Sequence, residues 1–308
     1  MMEHDDINTL ILKTEEWILP ELESIFEKYE CEDITVKAAL YSLFAGGKRL
    51  RPMMMRLASE MLGLPSDIDN DVKYFAATLE MLHTYSLIHD DLPALDNDEL
   101  RRGKPTCHME FGEGIAVLAG DLLLNKAMER LFYICEKEPG YIYASSAMAE
   151  NAGIKGMLGG QSIDIASEDK EISMDLLLQL QEKKTGAFIE SALVTPYYIS
   201  RKMTREESKT DRIAIRFNSL SFHIGLAFQI KDDILDVTSN CEILGKSTGK
   251  DARDSKATFV TLMGLELAER TLEAEIAEIK RYFAEFAEEG FDTTDFMTLT
   301  DYLYNRDR

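Results

Sequence analysis

A short segment near residue 90 concentrates charged side chains that could bind metal and phosphate. Four aspartates and one glutamate fall within residues 90–99, and Arg101, Arg102 and Lys104 follow directly. Carboxylates this close repel one another unless a cation lies between them, and hard oxygen donors favour Mg2+ or Ca2+. The spacing lacks the ligand order and the glycine of an EF-hand loop. The arginines indicate that an anion, most simply a phosphate, binds at the same site. The alternative for the whole segment is an acidic surface exposed to solvent, with no bound ligand.

A second acidic cluster, formed by Asp232, Asp233 and Asp236, favours the metal interpretation. Residues i and i+4 of a helix lie on one face, with their side-chain roots about 6 Å apart. Asp232 and Asp236 are therefore placed to act together if this segment is helical. Two such clusters facing each other across a cleft could bind several metal ions and a diphosphate.

Apolar residues at helical spacing predict the elements that carry both clusters. The helix predicted over 72–91 ends in the first cluster, and the apolar segment 213–237 contains the second. His83 lies seven residues before Asp90, about two turns away on the same helical face. The polar run from Pro93 to Pro105 predicts a loop that is long enough to be functional. Further helices are predicted over 7–26 with an interruption at Pro20, and over 35–44, 112–133, 176–199 and 257–287.

A basic segment lies between two of the predicted helices. The glycine pair 46–47 ends one helix, and Pro52 is suited to the start of the next. Lys48, Arg49 and Arg51 lie between them, where guanidinium groups, an ammonium and free backbone N–H groups could converge on an anion. The segment is thus a candidate anion-binding socket, with a solvated turn as the alternative.

The composition narrows the class of protein. The chain has 308 residues, of which 45% are hydrophobic and 29% charged, with only 7 Pro and 18 Gly. This favours one large helical core within a single domain over residues 1–308. The net charge of −22 argues against nucleic acid or an anionic membrane surface as a partner. A phosphorylated substrate would need local basic groups and bound metal to offset the overall repulsion.

The cysteines and the termini predict a cytoplasmic protein. The four cysteines are scattered, with neither a C-x-x-C pair nor zinc-like spacing with the five histidines. Reduced thiols are expected from this pattern. The acidic N-terminus lacks the layout of a signal peptide, and no apolar run approaches the ~18 residues needed to span a bilayer.

Six motifs, in this order along the chain, resemble those of the trans-prenyl diphosphate synthases. They are Gly46–Pro52, His83–His108, Gly159–Gln161, Lys184–Gly186, Phe228–Asp236 and Leu244–Lys246. The resemblance runs from about residue 44 to the C-terminus. Within that family the chain looks most like the bacterial fifteen-carbon synthases, because Tyr85 precedes Asp90 by five residues and the first aspartate motif is expanded by two residues.

The resemblance implies a fold and a reaction. The fold is all-α, a single large bundle of ten or more helices around a deep central cavity, of the isoprenoid synthase type. The reaction joins isopentenyl diphosphate head-to-tail to an allylic diphosphate, first dimethylallyl and then geranyl, by ionisation, condensation and deprotonation. Six aspartates would balance about three Mg2+ ions, with Mn2+ as the alternative metal. A homodimer is the assembly that the family suggests.

The resemblance also assigns roles to individual residues. The metal ligands are Asp90, Asp91, Asp96, Asp232, Asp233 and Asp236. Isopentenyl diphosphate is assigned to Lys48, Arg51, His83 and Arg102. The allylic diphosphate is assigned to Arg101, Lys184, Thr185, Gln229, Lys246 and Lys256. Catalysis is assigned to Lys184, Thr185, Gln229 and Lys246, product length to Tyr85 and Ser86, and positions near the cavity to Gln161 and Asp164.

Three further interpretations concern a basic segment near the C-terminus, the length of the product and an alternative class of protein. The basic residues of the polar segment 238–256 predict a mobile lid over the diphosphate, with Lys246 as its best candidate contact and Lys256 as a weaker one. The alternative within the same family is a twenty-carbon geranylgeranyl synthase, which only analysis of the product would distinguish from a fifteen-carbon enzyme. A non-catalytic helical partner subunit is the alternative from another class, and it would be expected to have lost one aspartate cluster.

Overall fold

Helices account for most of the chain in the computed structural model, which describes residues 2–27, 33–244 and 257–305. The helices are α1 (Met2–Ser24), α2 (Ile34–Leu43), α3 (Leu50–Met61), α4 (Ser66–Asp90), α5 (Cys107–Phe111), α6 (Glu113–Lys137), α7 (Ile142–Ala152), α8 (Met157–Ser167), α9 (Met174–Gln181), α10 (Ala187–Arg201), α11 (Arg205–Ser208), α12 (Arg212–Leu244), α13 (Phe259–Met263), α14 (Leu265–Glu288) and α15 (Thr294–Asn305). The predicted all-α class, with ten or more helices, is confirmed.

Helix α10 lies at the centre of the bundle. Apart from Glu190, every residue from Ala187 to Ile199 is buried. A helix that is buried on all sides must be covered by neighbours around its whole circumference. Helices α3, α4, α7 and α12 provide that cover. Because α10 packs against both α4 and α12, it fixes the helix ending in the first aspartate cluster relative to the helix carrying the second.

The outer elements complete the core. Helix α6 packs along α4 and α2, and α14 packs along α12. Large apolar side chains such as Phe75 of α4, Phe217 of α12 and Phe283 of α14 are fully buried. Each full burial of this kind stabilises the fold by about 1.5–3 kcal/mol. No helix among the described residues is long and apolar enough to cross a lipid bilayer.

Several element boundaries differ from those predicted. Helix α1 continues through Pro20 instead of breaking there, and α4 begins at Ser66. The helix predicted over 257–287 is divided at Gly264, whose φ of +81° is a left-handed conformation that favours glycine. The helix predicted over 176–199 is interrupted by the π-helical turn Glu182–Gly186.

The segment after α4 contains a small hairpin. Strand β1 (Leu100–Arg101) pairs antiparallel with β2 (Lys104–Pro105), and Arg101 lies opposite Lys104. The two connecting residues, Arg102 and Gly103, have φ values of +55° and +75°. Positive φ at both central positions is typical of a tight hairpin turn. The hairpin therefore holds Arg101 on a strand and Arg102 at its tip, where the sequence had predicted only a loop.

Candidate active site

The first aspartate cluster begins where α4 ends. Asp91 is only 3% exposed and accepts hydrogen bonds from the Arg101 guanidinium, with Nε at 2.9 and 2.8 Å from its two oxygens and Nη2 at 2.5 Å from Oδ1. Burial raises the pKa of Asp91, and the hydrogen bonds from Arg101 oppose that rise. A charge-assisted pair of this geometry fixes the guanidinium in one orientation. Asp91 therefore holds Arg101 in place.

Asp90 lies in a different environment from its neighbour. Burial raises its pKa to about 6, and the negative charges of Asp96 and Asp91 add to the rise. The positive charges of Lys184 and Arg101 act in the opposite direction. The Asp96 backbone N–H donates to the carbonyl of Asp90 at 2.9 Å, so the loop folds back on the end of α4. The ionised carboxylates are thus crowded in a partly desolvated space, which a divalent cation would stabilise.

The second cluster lies on α12. Asp233 is 4% exposed and accepts hydrogen bonds from the Gln229 side-chain amide at 3.0 Å and from the Phe259 backbone N–H at 2.8 Å. The second of these bonds ties α12 to the first turn of α13. Asp232 and Asp236 lie beside it on the same helix and are partly exposed. Each cluster therefore contains one buried aspartate that holds a neighbouring element, together with two that keep access to solvent.

The π-helical turn Glu182–Gly186 connects the two clusters. Lys184 Nζ lies 2.5 Å from Asp164 Oδ2, and its charge acts on Asp90 of the first cluster. Thr185 donates a hydrogen bond to Gln229 Oε1 at 3.4 Å, and Gln229 in turn bonds to the second cluster. Turns of this type occur often at functional sites because the wider helix re-aims its side chains. The turn thus places Thr185 in hydrogen-bond contact with Gln229 of α12 and brings the charge of Lys184 close enough to act on Asp90.

Glycines allow the helices to converge on this turn. A Cβ at Gly160 of α8 would overlap the Lys184 backbone N and lie 2.6 Å from the Lys184 Cα. A Cβ at Gly225 of α12 would lie 3.1 Å from the Gly186 Cα. The dense glycines of the 153–160 segment therefore include one position where a side chain cannot be accommodated without moving the turn.

Gly160→Ala is expected to destabilise the protein by about 1–3 kcal/mol because the new methyl group must displace the backbone of Lys184. Turnover is expected to fall as well, since Lys184 would shift with the turn. Thermal unfolding and steady-state kinetics measure the two effects. Gly153→Ala is the matched control, because its Cβ would meet only carbonyl oxygens at 3.5 Å. Equal effects of the two substitutions would contradict the packing argument.

The basic socket forms beside the hairpin. Arg102 donates a hydrogen bond to the carbonyl of Gly46, and its guanidinium lies against Gly47. Lys48 is exposed, with Nζ 4.9 Å from the centre of the Tyr302 ring. Residues from the α2–α3 turn, the hairpin and the terminal helix α15 therefore meet at one place.

His83 lies beside this socket and is uncharged. Its Nε2 lies 3.2 Å from Arg51 Nη1. Burial lowers its pKa well below the usual range, and the nearby guanidinium groups of Arg51, Arg102, Arg101 and Arg49 lower it further. Burial also lowers the pKa of Arg51 to about 10, which leaves that guanidinium charged at neutral pH. The structure therefore groups Arg51, His83 and Arg102, and the fourth residue that the resemblance assigned to isopentenyl diphosphate, Lys48, belongs to the turn against which Arg102 lies.

Tyr85 lies near the C-terminal end of α4, one turn before His89. The side chain is 6% exposed, and its ring packs edge-on against His89 at a centroid distance of 5.9 Å. Burial raises its pKa to about 12, and the charge of Asp90 contributes to that rise. His89 itself approaches Gly120 of α6, where a Cβ would lie 2.5 Å from its Cδ2. Ser86 donates a hydrogen bond to the carbonyl of His83 at 2.9 Å, so its hydroxyl is used within α4.

The donor set fits a hard divalent cation. Among the described residues, no three His, Cys, Asp or Glu side chains are grouped closely enough to hold a metal ion by themselves. Carboxylates from both clusters, with oxygens from a bound diphosphate and water, would complete an all-oxygen coordination shell of the kind Mg2+ prefers. Burial is the main reason that the pKa of Asp90 is raised, and a bound divalent cation would stabilise the ionised form of this carboxylate.

Lys246 and Lys256, and with them most of the predicted lid, lie outside the described residues. Sequence reasoning missed Glu80, a buried acidic residue that pairs with Arg49. Its signal was present, because a carboxylate within the apolar pattern of 72–91 requires a partner. The bond from the Phe259 N–H to the second cluster had no signal in the sequence.

Comparison with known proteins agrees with this arrangement. Residues 32–289 match the polyprenyl synthetase family model, and the chain belongs to that family. It is 38% identical over 276 residues to the farnesyl diphosphate synthase of Escherichia coli, covering 89% of each chain. It is 37% identical over 269 residues to a geranylgeranyl diphosphate synthase of Cyanophora paradoxa, covering 86% of this chain and 85% of that protein.

Solved structures give the same result for the fold. A geranyltransferase from Legionella pneumophila superposes with a TM-score of 0.80 at 29% identity, covering 99% of this chain and 98% of the other. An FPP/GFPP synthase from Zymomonas mobilis superposes with a TM-score of 0.81 at 29% identity, covering 97% and 99%. These structures confirm the predicted fold, which is of the isoprenoid synthase type. Together with the relatives above, they also confirm the predicted class of enzyme, a trans-prenyltransferase.

Proposed function

We propose that this protein condenses isopentenyl diphosphate with dimethylallyl and then geranyl diphosphate to give farnesyl diphosphate. The observation that carries the proposal is the π-helical turn, which brings the charge of Lys184 close enough to act on Asp90 and joins Thr185 through Gln229 to Asp233. This arrangement supports a shared chamber between the two aspartate clusters. Relatives named farnesyl diphosphate synthase at 36–38% identity support the same product.

The divalent metal is assigned to the partly exposed aspartates. Asp90 and Asp96 on one side, and Asp232 and Asp236 on the other, would hold about three Mg2+ ions, with Mn2+ as an alternative hard cation. When bound, the metal stabilises the negative charge that develops on the leaving diphosphate. Asp91 and Asp233 stay in the site as buried carboxylates that fix Arg101 and the start of α13.

The allylic diphosphate is assigned to cations fixed by neighbouring carboxylates. Arg101 is held by Asp91, and Lys184 by Asp164. Cations that are already oriented stabilise developing charge without reorganisation, which is the main device for lowering this kind of barrier. Thr185 and Gln229 present oxygens beside the reacting carbon. Lys246 and Lys256 belong to the same proposal as contacts from the lid.

The second substrate is assigned to the basic socket. Lys48, Arg51 and Arg102 offset the charge of the isopentenyl diphosphate, and neutral His83 contributes a hydrogen bond. The allylic carbon–oxygen bond breaks, the isopentenyl double bond supplies the electron pair for the new carbon–carbon bond, and one proton is then lost. The released diphosphate accepts that proton.

Product length is assigned to Tyr85. Its buried ring, which packs against His89 on the same helix, would form the floor of the prenyl cavity, with Ser86 next to it. Tyr85→Ala is expected to shift the main product from fifteen to twenty or more carbons, since removing the ring opens space for another isoprene unit. Chromatography of the dephosphorylated alcohols measures the shift, and Tyr85→Phe, which keeps the ring, is the control. An unchanged distribution in Tyr85→Ala would contradict the assignment.

The remaining features of the proposal concern the whole protein. We assign it one domain, a homodimeric assembly and a cytoplasmic location. A non-catalytic partner subunit is disfavoured because all six aspartates of the two clusters are present.

The proposal is tested by incubating the protein with labelled isopentenyl diphosphate, Mg2+ and each allylic diphosphate in turn. Labelled farnesol after dephosphorylation is the expected main product. Geranylgeraniol as the main product would replace the proposed product with the twenty-carbon alternative. Absence of any labelled alcohol with every allylic partner would overturn the proposed activity.

A further inference from the structure

A buried ion pair lies beneath the basic socket and is not part of the substrate assignments above. Glu80 of α4 is 2% exposed and Arg49 is 5% exposed. Arg49 Nη1 lies 2.5 Å from Glu80 Oε1, and Arg49 Nη2 donates to the carbonyl of Leu43 at 2.6 Å. The side chain of Arg49 therefore ties the end of α2 to the middle of α4.

The backbone at Arg49 belongs to a turn with an unusual conformation. Arg49 has a φ of +47°, and Gly46 and Gly47 have φ values of +91° and +113°. A left-handed conformation at a residue with a long side chain is unfavourable and persists only when surrounding contacts hold it. The buried pair with Glu80 is such a contact. It therefore holds the turn that presents Lys48 to the socket.

The same turn carries another residue of the socket. Arg102 donates a hydrogen bond to the Gly46 carbonyl, and a Cβ at Gly47 would lie 2.6 Å from the Arg102 Nη1. Any movement of the turn would therefore move the anchor of Arg102 as well. Arg51 follows in the first turn of α3, which begins directly after Arg49.

Glu80 also acts on the charges of the socket. The guanidinium groups of Arg51 and Arg102 are partly desolvated, and burial lowers the pKa of both. The charge of Glu80 opposes this effect in each case. Because Arg49 and Glu80 cancel each other's charge, Lys48, Arg51 and Arg102 remain as three positive charges for a diphosphate.

We infer that Glu80 and Arg49 are positioning residues for the isopentenyl diphosphate site, holding the 46–49 turn so that Lys48, Arg51 and Arg102 converge on the diphosphate. The inference rests on the proposed function, because that function assigns the socket to this substrate. Neither residue touches the substrate. Their loss should therefore weaken the binding of one substrate while the chemistry of the other site is retained.

Glu80→Gln removes the charge with little change of shape. The KM for isopentenyl diphosphate is expected to rise about tenfold or more, since a buried charged hydrogen bond that fixes the turn is lost. The KM for the allylic diphosphate is expected to change by less than about twofold, because effects at separate sites are largely independent. Glu21→Gln is the matched control, because Glu21 also pairs with a buried arginine, Arg130. The other hydrogen bonds that Arg130 makes within the described residues run to Thr78 and Tyr74, with none to the 46–49 turn. Glu21→Gln should leave both KM values unchanged.

A double variant separates positioning from stability. Arg49→Met with Glu80→Gln leaves no unpaired buried charge, so its melting temperature should recover relative to Glu80→Gln. The KM for isopentenyl diphosphate should remain raised, because the turn is still unanchored. This variant also keeps the inference testable if Glu80→Gln fails to fold.

The outcomes distinguish this inference from the proposed function. A wild-type protein that makes no prenyl alcohol would overturn the proposed function. An active wild type, together with an unchanged KM for isopentenyl diphosphate in either variant, would overturn the positioning role alone. Recovery of both the melting temperature and the KM in the double variant would show that the pair is merely structural.

Discussion

Replacing Asp90 with alanine is expected to lower kcat by about two to three orders of magnitude. Asp90 stands at the end of α4, partly desolvated and facing the charges of Lys184, Asp96 and Arg101. Its carboxylate is proposed to help hold the divalent cations that stabilise the departing diphosphate. Asp232→Ala should have an effect of the same size, because Asp232 is proposed to hold the same cations from the second aspartate cluster. Steady-state kinetics with saturating Mg2+ measures both effects.

A matched variant shows whether the loss is specific to the site. Glu99→Ala removes an exposed carboxylate from the same acidic segment and should leave kcat within about twofold, as surface changes usually do. Circular dichroism should show the same helical content in all three variants. A near-native rate in Asp90→Ala or Asp232→Ala would be fatal to the metal assignment.

Lys184→Gln is expected to have a similarly large effect, about a hundredfold or more on kcat. Lys184 is held by Asp164 at 2.5 Å on the π-helical turn, and its charge acts toward Asp90. An oriented ammonium beside the leaving diphosphate stabilises charge that develops only as the carbon–oxygen bond breaks. The loss should therefore appear mainly in kcat and only weakly in the KM for isopentenyl diphosphate. Single-turnover kinetics separates the chemical step from product release.

The neighbouring lysine is the natural control for this prediction. Lys183→Gln removes the same charge one residue earlier on the same turn and should change kcat by less than about threefold, since this lysine has no assigned role. Equal losses in Lys183→Gln and Lys184→Gln would mean that only the overall charge of the turn matters. That result would contradict the specific orientation of Lys184.

The two aspartate clusters, and the helices that carry them, were predictable from the sequence. The apolar periodicity of 72–91 and 213–237 correctly predicted helices α4 and α12, because buried faces repeat with the helical period. His83 was predicted beside the phosphate site from its spacing to Asp90 and from the family motif. The structure brings it within 3.2 Å of Arg51, a residue from another helix.

The connections between these elements could not be predicted. The π-helical turn interrupts a segment whose pattern fits a continuous helix, and it depends on the close approach of Gly160 and Gly225 from other helices. Within each cluster, the sequence cannot tell which aspartate is buried. Asp91 bonds to Arg101, and Asp233 bonds to a backbone N–H of α13, and both of these are tertiary contacts.

The net charge of the protein and the local charge of the site have opposite effects on a diphosphate. The net charge of −22 predicts repulsion of any diphosphate. The site gathers cations locally, and the carboxylates of Asp91 and Asp164 hold two of them, Arg101 and Lys184, in fixed positions. Some of the acidic residues near the substrates thus orient positive charge. This explains how an acidic protein can present ordered cations to two anionic substrates.

The central claim is that both aspartate clusters face one chamber in which divalent ions and the allylic diphosphate meet. Anomalous diffraction from crystals grown with Mn2+ and an unreactive allylic thiolodiphosphate tests this claim most directly. The account predicts anomalous peaks between Asp90 and Asp96 on one side and Asp232 and Asp236 on the other, with the diphosphate against Lys184. Metal bound to one cluster alone, or a diphosphate bound away from both clusters, would contradict it.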